Sequence, residues 1–321
     1  RHQFVAPGWR RKLRYLYWEQ VYCRRILPQI IDRLRLDVFH AAAPLPLAAA
    51  GTRRRPQMVT TVHDLIAFSN PEWFSRAGAL RTQHDTRLAV RASQCLITDS
   101  YATEKELAAR LSVPNDKITT IYPGKPTPVF SVAEIWPRQP FFVSVGTLEP
   151  RKNLITTLKA YKALKSRVPN PPKLVLVGGK GWGDLPLEQV IRDYDLQHDV
   201  LIRGYVSDAE LAALYSLAEA LIYPSLCEGF GLPILEAMTY GCPVITSNVS
   251  SLPEIAGDAT ILVNPYNVEE LCQVMNWIIM DAECQRTFAR RGRQRAALFS
   301  WENCAVQTAN VYRHLAANAA P

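Results

Sequence analysis

Seven cysteines are spread over 321 residues, at positions 23, 95, 227, 242, 272, 284 and 304, and no two have Cys-x-x-Cys spacing. The count is odd and the chain is long, so no disulfide framework is expected and a reducing compartment fits better. No window approaches 18 consecutive apolar residues, which argues against a membrane-spanning helix. No stretch has the basic-then-apolar pattern of a secretory leader. None of the six histidines has a second at metal-ligand spacing, so neither a metal nor another cofactor is expected. A dinucleotide oxidoreductase would want Gly-x-Gly-x-x-Gly after its first strand and an acid about 20 residues on, and neither is present. Internal repeats and low-complexity tracts are also missing.

What is present reads as a folded chain, with 48% hydrophobic and 21% charged residues. The length suits two domains. The net charge of +8 is unevenly distributed. The first 55 residues hold twelve basic and three acidic groups and carry +9, while the remainder carries −1. A nucleic-acid surface would spread its basic groups along an exposed groove, so no nucleic-acid partner is expected. The local basicity points to a local anionic partner.

From Asp37 onward, short Val, Ile and Leu runs alternate with helical patterns. Strands are expected at 37–41, 58–62, 94–98, 118–122, 141–145, 173–177, 200–203, 220–223, 243–246 and 259–263. Helices are expected at 12–36, 154–167, 188–194, 208–217 and 268–280. The strands lack polar alternation, as strands covered on both faces do. Strand–helix alternation predicts parallel, doubly wound α/β sheets. Prolines at 123, 126, 128, 137 and 140 mark a linker between two units.

The most informative stretch is Tyr223-Pro-Ser-Leu-Cys-Glu-Gly-Phe-Gly-Leu-Pro-Ile-Leu-Glu236. It reads as a strand end, a glycine loop and a helix with Pro233 in its first turn and Gly241 after its last. The backbone N–H groups at Gly229, Phe230, Gly231 and Leu232 would form a helix N-terminus suited to a phosphate. Glu236, one turn inside, could accept hydrogen bonds from a ribose diol, or could simply stabilise the helix start. Glu228 could hold a second hydroxylated group. In Gly146-Thr-Leu-Glu-Pro-Arg-Lys-Asn153, Arg151 and Lys152 precede a helix, where cations oppose the dipole. That placement suggests an anionic ligand such as a diphosphate. His63 follows a β-branched run and falls at a strand's C-terminal end, where α/β sheets place ligands. Its alternative is a structural histidine paired with Asp64. The loop 178–183 is glycine-rich, with Lys180 a weaker phosphate candidate.

Gly146–Asn153, the Glu228-x7-Glu236 spacing and Thr61-Val-His-Asp64 together resemble family 4 glycosyltransferases over roughly residues 37–315. The pattern is most similar to bacterial mannosyltransferase-like members of polysaccharide assembly. The resemblance implies a retaining, nucleotide-sugar-dependent enzyme of the GT-B fold, with two Rossmann-like domains facing a cleft. It implies an N-terminal domain over 1–137, joined by a C-terminal helix 301–317, and a donor-binding domain over 138–300. The N-terminal domain is expected to lack its first strands and their glycine-rich loop. The alternative that follows is a non-catalytic nucleotide-sugar-binding or partner subunit.

By that resemblance, Lys152, with Arg151 beside it, would bind the donor diphosphate. Glu236 would hold the ribose, and Glu228 the transferred sugar. The amides of Gly229–Gly231 would lie around both, Tyr205 and Val206 would border the base, and His63 would face the sugar across the cleft. Many members carry an arginine at the strand end where this chain has Gly146-Thr147, so one diphosphate cation is expected from elsewhere. Expected partners are a nucleotide-sugar donor and a glycan or lipid-linked acceptor. The expected location is cytoplasmic, peripheral on the inner face of the plasma membrane. There Arg10–Arg14 and the aromatics after them, within residues 1–55, would meet anionic lipid; a solvated helix is the alternative.

Overall fold

The computed structural model describes residues 17–45, 56–129, 139–181 and 185–317. The Arg10–Arg14 run and the central part of the proline-rich linker lie outside the described residues.

Two parallel sheets carry the fold. The first has order β1-β2-β3-β4, from Val38–Ala41, Gln57–Val62, Cys95–Thr98 and Ile118–Thr120. The second has order β10-β9-β8-β5-β6-β7. Its strands in chain order are Phe141–Val145 (β5), Lys173–Val177 (β6), Val200–Gly204 (β7), Ala220–Tyr223 (β8), Val244–Ser247 (β9) and Ile261–Val263 (β10). Chain order reverses beside β5, which makes its C-terminal end a switch point where α/β sheets leave a crevice.

The expected α/β class and all ten expected strands are found. β4 stops at Thr120, two residues early. Tyr122 instead packs its ring against Phe230 and Phe299. Strands of the second sheet are buried on both faces. Val143, Val175 and Leu221 enter one core with Ile234 and Met238. Phe142, Leu174 and Ile222 enter the other with Leu158 and Leu271.

The chain passes between the sheets twice. The last helix, Trp301–Ala317, packs Val311, Tyr312 and Leu315 on Val38, Val59 and Ile97 of the first sheet. The two crossings run side by side, and a Cβ on Gly124 would lie 2.3 Å from the Trp301 nitrogen.

Three neighbouring strands of the second sheet end in glycines with positive φ: Gly146 (143°), Gly178 (144°) and Gly204 (67°). These glycines let the backbones approach without side chains at the crevice floor. A Cβ on Gly178 would stand 2.0 Å from the Gly146 carbonyl oxygen, whereas one on Gly179 would meet nothing within 4 Å. Gly178→Ala should therefore lower unfolding free energy by about 2–4 kcal/mol and Gly179→Ala by under about 1 kcal/mol, read from urea denaturation.

Candidate active site

The crevice is built by stitching two loops together. In the loop after β5, Asn153 takes a left-handed φ of 58° at the start of the helix Leu154–Lys165. Its carboxamide donates to the carbonyls of Pro224 (3.0 Å) and Pro265 (2.7 Å). The Arg151 carbonyl accepts from the Leu226 N–H (2.8 Å), with Ser225 Oγ 3.0 Å away. These bonds bring Arg151 and Lys152 against Glu228, which precedes the helix Leu232–Tyr240.

Glu228 is 9% exposed and Lys152 is 8% exposed. Glu228 Oε1 accepts from Lys152 Nζ (2.6 Å), the Tyr223 hydroxyl (2.7 Å) and the Ser225 hydroxyl (2.7 Å). Its Oε2 accepts from Arg151 Nη1. Glu228 is thus largely occupied as the counter-ion of two cations, an arrangement that differs from the expected open hydroxyl acceptor. Burial pushes its carboxyl up, but the Lys152 and Arg151 charges outweigh that and hold it below the usual glutamate value. Burial dominates for Lys152, whose amine sits below the ordinary lysine value. Arg151 also faces Glu149, 1% exposed, as an ion pair without an aligned hydrogen bond. Two buried carboxylates therefore balance two cations. Lys152 donates to Tyr223 and Glu228, which leaves one of its three N–H groups for a ligand. Gly146 lies directly beside its stem, since a Cβ there would come within 2.9 Å of Lys152 Cε.

Gly231 caps the helix with φ 111°, and Pro233 occupies its first turn, as expected. Among the described residues, the N–H groups of Gly229, Phe230 and Gly231 have no protein acceptor. They stand at the positive end of the helix. The Glu228 N–H donates to Ser250 Oγ (3.0 Å), and the hydroxyls of Ser250 and Ser251 donate to the Glu228 carbonyl (2.6 and 2.9 Å), fixing the loop from behind. Glu236 is half-buried and accepts from the Tyr215 hydroxyl (3.0 Å). Burial raises its carboxyl above the usual glutamate value, against the lowering effect of the Tyr215 hydrogen bond.

His63 directly follows β2 and is brought to the same loop. A Cβ on Gly229 would lie 1.9 Å from the His63 carbonyl oxygen, so only glycine fits there. The expected alternative partner, Asp64, is not the one found. His63 Nδ1 stands 2.6 Å from Asp99 Oδ2, and Nε2 stands 2.8 Å from the Ala42 carbonyl. Two oxygen acceptors call for N–H on both nitrogens, and the Asp99 hydrogen bond raises the imidazole above 6.5. A cavity of about 360 Å³ opens beside this point, lined by Asp64, Lys105, Glu106, Cys227, Glu228 and Ser250. Burial pushes the Cys227 thiol up to about 11.

Tyr205 is 86% exposed after β7. Val206 is not available as expected: it is 8% exposed and packs into the core beside Tyr215. A second cavity, about 420 Å³, opens at the ends of β6 and β7 among Gly178, Lys180, Leu185, Gln189, Arg192 and Gly204.

Several contributors were not legible as site residues. Tyr223 and Ser225 read as strand core and turn, and Asp99 and Ser250 lie far from the motifs in sequence. Glu149 lay inside the quoted motif without an assigned role. One Asp-x-Asp triplet, Asp193–Asp195, does occur; it ends the helix Leu187–Asp193, and Asp193 accepts from Gln189.

Two parallel α/β units thus meet at a polar, cation-bearing cleft. The model "Glycosyl transferases group 1" matches residues 130–295, and the model "Glycosyltransferase Family 4" matches residues 1–127. The chain is 34% identical over 274 residues to O-antigen chain mannosyltransferase B of Escherichia coli, covering 82% of this chain and 71% of that protein. It is 30% identical over 251 residues to O-antigen chain mannosyltransferase RfbU of Salmonella typhimurium, covering 78% of this chain and 65% of that one. It also matches 32% of the length of a serotype-specific mannosyltransferase of E. coli. Among solved structures, Anabaena Alr3699/HepE in complex with UDP and glucose superposes with TM-score 0.76 at 21% identity, over 93% of this chain and 83% of that one. WaaG, a glycosyltransferase involved in lipopolysaccharide biosynthesis, gives 0.73 at 17%, over 96% and 84%. The chain belongs to the group 1 (family 4) glycosyltransferases and has the GT-B fold.

His63 carries a stability contribution of definite sign. Its folded value is raised, so the contribution is fully present below pH 6.5 and lost as pH rises through the folded value. The stability gap between the parent and His63→Ala should be larger at about pH 6 than at about pH 9 in urea titrations. Glu228→Gln leaves the buried Lys152 and the half-buried Arg151 short of a counter-charge and should lower unfolding free energy by about 3–5 kcal/mol.

Proposed function

We propose that this chain transfers a mannosyl group from a nucleoside diphosphate sugar to an acceptor hydroxyl, with retention of configuration, in polysaccharide or glycolipid assembly. The observation that carries this reading is that Lys152 and Arg151 both pair with Glu228, immediately ahead of the Gly229–Gly231 amides at the start of the helix Leu232–Tyr240. A diphosphate needs fixed positive groups where its charge grows on departure. The free N–H of Lys152 and the helix N-terminus supply them without reorganisation. The mannosyltransferases among its relatives support the sugar, and a neighbour's complex with UDP and glucose supports the donor class.

In this reading Glu236 holds the ribose, between the cations and the loop at Tyr205, with the base toward that loop. Glu228 keeps Lys152 and Arg151 aimed at the diphosphate and presents its remaining accepting capacity to the sugar. His63, held by Asp99 and the Ala42 carbonyl, faces the sugar from the other sheet. The acceptor hydroxyl enters through the cavity at Asp64 and Cys227. A departing phosphate oxygen takes its proton, so no side-chain base is needed. Association with an anionic membrane surface through residues 1–55 belongs to the same proposal.

Isothermal titration with GDP-mannose and UDP-glucose tests the donor assignment. Binding should be seen with the parent chain, and Lys152→Ala and Glu236→Ala should each weaken it at least about tenfold, in line with loss of a charge-assisted hydrogen bond. Unchanged affinity in both variants would sink the assignment. NMR of the product should show the donor's anomeric configuration retained.

A further inference from the structure

The two crossings between the sheets lie at Gly124 and Trp301, while the donor loop and His63 meet at the cleft. The Glu254 carboxylate joins the two units near both places. Glu254, in the short helix Leu252–Ala256, reaches across to the first unit. Its Oε1 accepts from the Tyr101 N–H (2.8 Å), and its Oε2 accepts from the Ala102 N–H (3.0 Å). These are the first two amides of the helix Tyr101–Leu111, two of the four that a helix start leaves unpaired. The helix dipole favours a carboxylate there as well. Oε1 also accepts from the Tyr122 hydroxyl (2.8 Å), at the exit of the first sheet. Glu254 is itself held: Arg295 Nη2 donates to its carbonyl (2.6 Å) and Arg295 Nε to that of Ile255 (3.0 Å).

The same helix turn grips the donor loop. Ser100, the fully buried cap residue, donates its hydroxyl to the Gly229 carbonyl (2.6 Å). Thr103 Oγ1 reaches the same carbonyl (3.2 Å) and that of His63 (3.4 Å). Phe230, the next residue, packs against Tyr122 at 6.1 Å between ring centroids. The bonds from the first unit to the Gly229 carbonyl therefore come from a helix start whose first two amides are held by Glu254.

We propose that Glu254 is a positioning residue for transfer: it clamps the two units together and so sets the donor loop beneath His63. It touches no reacting group and acts through the helix start and Gly229. This assignment rests on the reading of Glu228–Gly231 as the donor loop.

The test pairs two readouts on the intact chain, using Glu254→Ala, Glu254→Gln and Tyr122→Phe, with circular dichroism to confirm folding. Small-angle scattering without donor reads closure, whatever the donor is. Glu254→Ala should have a larger radius of gyration than the parent, and Glu254→Gln and Tyr122→Phe smaller increases. In assays with GDP-mannose, kcat of Glu254→Ala should fall at least about tenfold while donor affinity by titration stays within about twofold, as expected when a closed population is lost. Glu254→Gln, which keeps one carbonyl acceptor, should recover part of that loss. Parent-like scattering in all three variants would overturn the clamp, as would a kcat loss matched by an equal loss of donor affinity. A parent chain that binds no nucleotide sugar would overturn the donor-loop reading instead, and scattering would still decide the clamp.

Discussion

The site depends on a carboxylate that cannot be left alone. Glu228 is buried among Lys152, Arg151, Tyr223 and Ser225. A charge taken out of water there is tolerated only because two cations and two hydroxyls surround it. The requirement runs both ways. The loop after β5 must sit against the loop after β8, or the cations are buried unpaired. Asn153 secures that seating by bonding carbonyls on two different segments, and the carbonyl of Arg151 secures it again. The chemistry and the packing of this sheet end are therefore one constraint.

A second constraint is backbone proximity. Gly146 makes room for the Lys152 stem, Gly178 for the Gly146 carbonyl and Gly229 for the His63 carbonyl. At each place a side chain would fill the space through which parts of the site touch. The glycines of the motifs thus let separate parts of the chain pack together at the site. Gly229 is also where the two units meet, so this loop has its carbonyl fixed by the opposite unit.

Much of this was legible along the chain. Apolar runs without polar alternation marked ten strands, because strands covered on both faces need apolar side chains on both. The spacing of Glu228, Pro233 and Glu236 marked a helix entered through glycines, because proline suits a first turn and glycine a cap. The unfavourable position of Arg151 and Lys152 ahead of a helix pointed to an anion. Their first anions turned out to be the protein's own, Glu149 and Glu228.

By itself the sequence determined the fold class, the strand ends that bear the site and the residues that carry charge there, since these follow from local pattern and side-chain chemistry. Only the tertiary structure decided who pairs with whom. Asp99, 36 residues from His63, displaced the neighbouring Asp64 because parallel pairing of β2 with β3 sets their C-terminal ends side by side. Val206 went into the core while Tyr205 stayed outside, because the chain turns into a helix just past β7. Glu254 found the start of a helix 153 residues away because the packing of the two units sets the short helix Leu252–Ala256 against it. Such pairings are properties of distances in space, which spacing along the chain does not encode.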